Sequence, residues 1–190
     1  MTSTETPRPA RNGVDTPTLF ATLDAVGAAP EKAHFQFRAR SEWQRGTHSR
    51  TTFDDYYGVG EDRRHETTFV FDADHPATLV GSDQGPTPAE VVLHAIASCL
   101  TAGIANIAAA RGVNLHSVTC SVVGDIDLNG SLGLDPAVRN GYTSVGLRFV
   151  VDADASNEVI EQIVRQSRAR SVVFDIMTNG VPVAIDIESP

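Results

Sequence analysis

Residues 85–112 read GPTPAEVVLHAIASCLTAGIANIAAARG, and this stretch predicts one long helix at the centre of the fold. Thr87 and Glu90 have the spacing of a capping box, and Pro88 occupies the first helical position. Gly112 suits a left-handed C-cap, because glycine adopts positive φ without a steric penalty. Between these ends nearly every residue is apolar or small, so the helix needs cover on all sides.

The small residues of this helix leave two kinds of assembly open. Either the helix is buried within its own domain, or it packs against the same helix of a second copy. Small side chains allow two helix backbones to approach closely. They are Ala95, Ala97, Ser98, Ala102, Gly103, Ala105, Ala108 and Ala109.

Overall composition narrows the class of protein. The chain has 190 residues, which suits one domain, and we expect residues 1–12 to form a disordered tail before a domain spanning residues 13–190. The net charge is −9 and basic residues are not clustered, so we expect no nucleic-acid partner. The N-terminal residues lack the apolar core of a secretory signal, which favours a cytoplasmic location.

The central helix is also the segment most similar to a membrane span. Its polar residues Glu90, His94, Ser98 and Asn106 argue against insertion, since polar groups are costly in hydrocarbon. We therefore expect a soluble protein with no membrane partner.

The predicted order of elements indicates an antiparallel α+β fold. A short helix follows Asp15, and the central helix is preceded by three strands and followed by two. A second amphipathic helix begins at Ser156, a break follows around residues 171–177, and a last strand is predicted over residues 181–187. No regular alternation of strand and helix is present, which argues against a doubly wound sheet. The strands before the central helix are expected at residues 35–43, 47–57 and 67–71, and the first is expected to be half-buried, with Phe35, Phe37, Ala39 and Trp43 on its apolar side. A polar loop is expected at residues 58–66, and the strands after the central helix at 113–128 and 142–152.

Two cysteines are the chemically interesting residues. Cys99 lies in the central helix, about three turns from its N-terminus, so the dipole of that helix cannot activate the thiol. A free cysteine is most often a buried apolar residue, and activation would need a basic group from elsewhere. Cys120 shares the apolar side of a strand with Val118 and Val122, which predicts a core residue. The six histidines show no metal-ligand spacing, so we expect no metal and no cofactor.

Residues 85–101 closely resemble the signature helix of the OsmC/Ohr family, the osmotically inducible and organic hydroperoxide resistance proteins. VGDIDL at residues 123–128 and RSVVFDIMTNGVPV at residues 170–183 support the resemblance. The resemblance implies an intertwined homodimer in which antiparallel sheets wrap around long central helices. It also implies reduction of organic hydroperoxides by a peroxidatic cysteine, which becomes a sulfenic acid and then forms a disulfide with a second cysteine.

Carried over by position, the resemblance assigns Cys99 as the peroxidatic cysteine and Arg45 as the arginine that stabilises its thiolate. Ser171 stands where the family has its second cysteine. The family glutamate falls at Ala89, one position before Glu90, and the capping box accounts for Glu90 by itself. The chain is therefore a divergent member that lacks the resolving thiol.

Two hypotheses about function follow. In the first, the protein is a one-cysteine peroxidase that reduces hydroperoxides at Cys99 in oxidative-stress defence and is regenerated by an external thiol or by Cys120. In the second, the protein is an inactive relative whose dimer binds a small apolar ligand. We favour the first, because Cys99 is retained within a well-matched motif.

Overall fold

The computed structural model describes residues 10–189. Residues 1–9 of the predicted tail lie outside this range, and Arg11 pairs with Val14 in a tight turn through two backbone hydrogen bonds of 2.9 and 2.8 Å. The chain divides into two compact units, Met1–Val92 and Leu93–Pro190, which are described separately. A single domain over residues 13–190 stays a prediction.

The first unit contains one helix and a four-stranded antiparallel sheet. Its elements are α1 Thr16–Ala28, β1 Gln36–Phe37, β2 Arg40–Arg45, β3 His48–Gly58 and β4 Glu61–Ala73. The predicted cap of α1 is confirmed, since the Asp15 carboxylate accepts a hydrogen bond from Thr18 N at 3.0 Å. Strand β3 is central: β1 and β2 pair with one of its edges and β4 with the other.

Two sequence predictions in this unit are wrong. The strand expected to be half-buried is broken into β1 and β2, and Phe37 and Trp43 are 77% and 76% exposed. An alternating pattern shows which side chains share a face but cannot show whether anything covers that face. The polar loop expected at residues 58–66 is instead a tight hairpin turn, in which Val59 and Gly60 both have positive φ (58° and 88°).

A buried carboxylate organises the loop that follows β4. Asp74 is 1% exposed and accepts hydrogen bonds from Thr47 Oγ1 at 2.5 Å and from the backbone N–H groups of His75, Ser82 and Gln84. These donors, the Thr47 hydroxyl foremost, lower the pKa of Asp74 to about 2. The charged carboxylate therefore fixes the chain between the sheet and the central helix.

The central helix, α2, spans Pro88–Ala110, and the unit boundary falls within it. Its capping box is confirmed: Thr87 N donates to Glu90 Oε2 at 2.8 Å and Glu90 N donates to Thr87 Oγ1 at 3.2 Å. The predicted C-cap is also confirmed, since Gly112 has φ +75° and Val113 N bonds to Ala108 O.

Helix α2 is covered along only one side in the described chain. Its buried residues are Ile96, Leu100, Ile104, Ile107, Ala108 and Ala109. By length and composition alone the helix is apolar enough to cross a membrane, with a mean hydropathy of 1.8 in its most apolar window, of which 22% is buried. Cover on all sides, as its composition requires, is thus not supplied by residues 10–189.

The second unit packs a two-stranded sheet against helices. Its elements after α2 are β5 Leu115–Asp125, α3 Leu128–Ser131, β6 Ser144–Ala153, α4 Asn157–Ala169 and α5 Val172–Asn179. Strands β5 and β6 are antiparallel. The core centres on Ile104, Ile107, Ala108, Val113 and Ile163, so it joins α2, the sheet and α4.

Sequence predictions near the C-terminus need correction. The expected break at residues 171–177 is the helix α5, because the Ser171 side chain caps it and outweighs the low helix propensity of Val172 and Val173. Residues 181–189 form no strand in the described chain. A strand needs a hydrogen-bonded neighbour, and the alternating pattern identifies no such neighbour.

Candidate functional site

Close packing between α2 and α4 places Cys99. Ser167 of α4 donates a hydrogen bond of 2.7 Å from its Oγ to the carbonyl oxygen of Leu100, the residue after Cys99. The two helices come this close because Gly103 has no side chain: a Cβ at this position would overlap Ser167 Oγ. Ser167 is 2% exposed, so this hydrogen bond is shielded from water. It fixes the position of Cys99 along α2 relative to the C-terminal end of α4.

The next element brings Ser171 to the thiol. Ser171 is the N-cap of α5, where its Oγ accepts a hydrogen bond from Phe174 N at 3.1 Å. The same Oγ lies 3.2 Å from Cys99 Sγ and donates to the sulfur. Ser171 is buried and Cys99 is half-buried.

The N-terminus of α5 therefore lies beside Cys99. Sequence reasoning excluded the dipole of the helix that carries Cys99, and that exclusion holds. It missed a second helix whose N-terminus is adjacent in space, because residues 171–177 were predicted as a break. The signal that would have found it is Ser171 itself, a good N-cap residue ahead of an apolar run.

An apolar cavity of about 220 Å³ is lined by neighbours of these two residues, Leu100 after Cys99 and Phe174, whose backbone N–H donates to Ser171 Oγ. It is lined by Leu100 and Ile104 of α2, Leu147 and Phe149 of β6, Val164, Ser167 and Arg168 of α4, and Phe174 of α5. This lining suits the hydrocarbon part of a small molecule.

A second cavity, the polar groove, lies between α4 and α5 and has a volume of about 330 Å³. Ser171 contributes to its wall, and Arg168 and Phe174 line both cavities. The Arg168 guanidinium lies over the Phe174 ring, with Cζ 4.8 Å from the ring centroid. This cation–π pair separates the apolar cavity from the polar groove. Neither residue was singled out from the sequence, where nothing distinguishes them from ordinary surface and core residues.

Cys120 has a different environment. It lies on β5 opposite Phe149 of β6, and both cysteines are free thiols. Burial raises the pKa of the Cys120 thiol, since the apolar surroundings disfavour its charged form. Cys120 is therefore a packed residue with a low thiolate content at neutral pH.

The other two predicted site residues lie in the first unit. Glu90 is engaged in the capping box of α2. Arg45 lies at the exposed end of β2, paired across the hairpin with His48. The structure thus brings together Cys99 and Ser171, while a role for Arg45 or Glu90 in the chemistry stays a prediction. Within residues 10–189, no group of three or more His, Cys, Asp or Glu side chains is placed to bind one metal ion.

Solved structures with a similar fold come from several bacteria. An OsmC-like protein from Mycoplasma pneumoniae gives a TM-score of 0.56 at 15% identity, covering 76% of this chain and 88% of that one. A Vibrio cholerae OsmC-like protein of unknown function gives 0.55 at 16% identity, covering 74% and 92%. An organic hydroperoxide resistance protein OsmC from Legionella pneumophila gives 0.51 at 16% identity, covering 78% and 93%. At these identities the likeness establishes the fold alone.

Sequence comparison defines the family. A search of curated protein sequences gives no significant match. Residues 81–186 match the family model described as OsmC-like protein, which is more than half of the chain. The matched segment contains both Cys99 and Ser171, and the structural neighbours agree with the mixed helix and antiparallel-sheet architecture predicted from the sequence. The chain therefore belongs to the OsmC-like protein family.

Proposed function

We propose that this protein is a one-cysteine peroxidase that reduces organic hydroperoxides at Cys99. The observation that carries the proposal is the 3.2 Å contact between Ser171 Oγ and Cys99 Sγ beside the apolar cavity. The family supports it, and a structural neighbour is an organic hydroperoxide resistance protein.

The contact with Ser171 suits the first step of the reaction. A hydroxyl group that donates to the sulfur can keep that hydrogen bond when the sulfur is a thiolate, and charge-assisted hydrogen bonds are the stronger ones. The backbone N–H groups at the N-terminus of α5 add positive potential on the same side of the sulfur. The thiolate attacks the outer oxygen of the hydroperoxide and the O–O bond breaks. The alkoxide that leaves takes up the proton released when the Cys99 thiol ionised, so the products are an alcohol and a Cys99 sulfenic acid.

The apolar cavity suits the organic group of the substrate. Its lining is almost wholly hydrocarbon and it adjoins Leu100, next to Cys99 in the helix. An alkyl or aryl group bound there would leave the peroxide oxygens near the sulfur. Hydrogen peroxide has no such group, so we propose that organic hydroperoxides react faster than hydrogen peroxide.

Regeneration of Cys99 differs from the mechanism implied by the family resemblance. The serine hydroxyl at position 171 cannot form a disulfide, and the raised pKa of the Cys120 thiol makes Cys120 a poor resolving nucleophile at neutral pH. We propose that a thiol from outside the chain reduces the sulfenic acid.

Removal of the sulfur tests the proposal. In a single-turnover assay with cumene hydroperoxide, the wild-type protein should consume about one equivalent per chain, the stoichiometry of one thiol oxidised to a sulfenic acid. Cys99→Ser should consume none, and the matched control Cys120→Ser should behave as the wild type. Unchanged consumption by Cys99→Ser would reject the proposal.

The apolar cavity also supports a second candidate function, binding of a small apolar ligand without chemistry. In that case Cys99 would be a packed residue, and the wild-type protein would retain an apolar ligand yet form no sulfenic acid with cumene hydroperoxide. A dimedone adduct on Cys99 after exposure to the hydroperoxide would exclude this alternative.

We further propose that the protein is a homodimer. Helix α2 is covered along one side, and its exposed residues beyond the first turn are Val92, His94, Ser98, Ala102 and Asn106, of which Ser98 and Ala102 are small enough to let another helix approach closely. Residues 181–187 alternate apolar side chains, and Val183, Ile185 and Ile187 are each at least 79% exposed. A second copy would cover both surfaces, and such extended apolar exposure is rare in a monomer.

A further inference from the structure

The polar groove beside Ser171 has no role in the chemistry described so far. It runs between α4 and α5 and shares Ser171 with the contact to Cys99. Its volume, about 330 Å³, is at the small end of the range for ligand sites. A molecule in the groove would therefore lie against the hydroxyl group that touches the reactive sulfur.

The groove carries uncommitted positive charge. Arg165 and Arg168 line it, against one carboxylate, Asp175. No carboxylate among residues 10–189 lies within ion-pair distance of Arg168. Arg165 forms only an exposed ion pair with Glu161 at 3.2 Å, which is a weak interaction in water.

The remaining polar groups of the groove are already paired. The Asp175 carboxylate accepts a hydrogen bond from Asn179 Nδ2 at 2.6 Å, and Thr178 Oγ1 donates to Phe174 O at 2.8 Å. The two guanidinium groups therefore dominate recognition, and a guanidinium is suited to a carboxylate, which it can bind through two hydrogen bonds. Arg168 is also held in place by its contact with the Phe174 ring.

We propose that the polar groove binds a small thiol that carries a carboxylate, and that this thiol regenerates Cys99. The inference rests on the proposed peroxidase function. Because residue 171 is a serine, the position in contact with Cys99 carries no thiol, and the groove supplies a place for an external thiol to approach past Ser171. A compact polar cavity fits a small anionic molecule better than the side chain of a reducing protein.

The chemistry is balanced by two molecules of the thiol. The sulfur of the first attacks the sulfur of the sulfenic acid, the S–O bond breaks, and the oxygen leaves with a proton as water, giving a mixed disulfide. A second molecule attacks that disulfide and releases the Cys99 thiol and a small-molecule disulfide. In total, one hydroperoxide and two thiols give one alcohol, one water and one disulfide.

The charge of the thiol provides the test. Full-length protein is oxidised with cumene hydroperoxide, and the sulfenic acid is verified by its dimedone adduct. The oxidised protein is then mixed with 3-mercaptopropionate, 2-mercaptoethanol or cysteamine, and formation of the mixed disulfide is followed by mass spectrometry. After correction for the thiolate fraction of each reagent, we expect the anionic thiol to react about tenfold faster than the neutral one, with the cationic thiol slowest.

Matched variants locate the effect. Arg165→Gln and Arg168→Gln should each reduce the ratio of the anionic to the neutral rate, and the double variant should bring it close to one. Arg148→Gln removes the same charge from β6, outside the groove, and should leave the ratio unchanged. The ratio compares two reagents on the same protein, so it does not depend on how much each variant is oxidised.

The outcomes separate the two proposals. Equal rates for the three thiols, or a preference unchanged in the double variant, would overturn the assignment of the groove while the dimedone adduct upheld the peroxidase. Absence of the adduct in the wild-type protein would overturn the peroxidase and, with it, this inference. A preference lost only in the groove variants would support both.

Discussion

The hydroxyl oxygen of Ser171 lies 3.2 Å from the sulfur of Cys99, although 72 residues separate them along the chain. This contact joins the middle of one helix to the N-terminus of another. It also places a hydroxyl group, which cannot form a disulfide, in hydrogen-bond contact with the proposed reactive sulfur. The same oxygen caps α5, so the hydrogen bond that begins this helix also holds the Ser171 hydroxyl against the Cys99 sulfur.

Ser171→Cys should convert the contact into a disulfide. A thiol at this position would lie next to the Cys99 sulfenic acid, and one equivalent of hydroperoxide should produce an intramolecular disulfide, seen by intact mass as the loss of two hydrogen atoms relative to the reduced protein. The chain-entropy model gives a stabilisation of about 4 kcal/mol for closing a loop of this length. Ser171→Ala is the control, and a Ser171→Cys protein that keeps both thiols after oxidation would show that the contact does not form in solution.

Gly103→Ala should destabilise the protein by about 1–3 kcal/mol, the usual effect of overpacking. The added methyl group would overlap Ser167 Oγ and push α4 away from the Leu100 carbonyl. Urea unfolding measures the change in the free energy of unfolding.

Ser167→Ala provides the other arm of a double-mutant cycle. Alone it should destabilise by about 1 kcal/mol through loss of the hydrogen bond. In its presence Gly103→Ala should be less harmful, because the overlapping oxygen is gone. If the changes in unfolding free energy of the two single variants simply added in the double variant, the close contact between Gly103 and Ser167 would be contradicted.

Asp74→Asn should remove part of the acid sensitivity of the protein. The folded-state pKa of Asp74, about 2, lies below the ordinary value of 3.8, so its stabilisation is complete above the ordinary pKa and is lost as the pH falls towards 2. The wild-type urea midpoint should therefore drop more steeply than that of the variant between about pH 4 and pH 2. Parallel curves for the two proteins would argue against a charged Asp74 in the folded state.

Cys120 should alkylate slowly. In the Cys99→Ser variant it is the remaining thiol, and its raised pKa reduces the thiolate that reacts with iodoacetamide at neutral pH. We expect the rate of alkylation at neutral pH to be at least about threefold below that of free cysteine. The midpoint of the rate against pH should lie at a higher pH than that of an ordinary thiol. Labelling as fast as free cysteine would show that the pKa of the half-buried Cys120 thiol is not raised.

The exposed C-terminal segment should contribute to dimerisation. Val183→Asp and Ile185→Asp place charges on the apolar face of residues 181–187 and should shift the protein from dimer towards monomer in light scattering. Ala184→Asp, on the other face of the alternating pattern, is the matched control. A wild-type protein that is already monomeric would reject the homodimer.

The sequence alone determined the parts of this protein whose causes are local. The bounds of α2 follow from Thr87, Pro88, Glu90 and Gly112, and the family follows from a run of residues within that helix. The antiparallel character of the fold follows from the order of the elements. Each of these signals acts between residues that are close along the chain, so the sequence by itself contains the information needed to predict them.

The tertiary structure decided what depends on contacts between distant residues. It set Ser171 against Cys99 and placed the N-terminus of α5 beside the sulfur. It also paired Arg168 with Phe174 between two cavities. The same limit explains the errors. Periodicity predicted a half-buried strand with Phe37 and Trp43 on its covered face, and a strand at residues 181–187. A pattern determines which side chains share a face, but the surface or strand that meets that face comes from elsewhere in the structure.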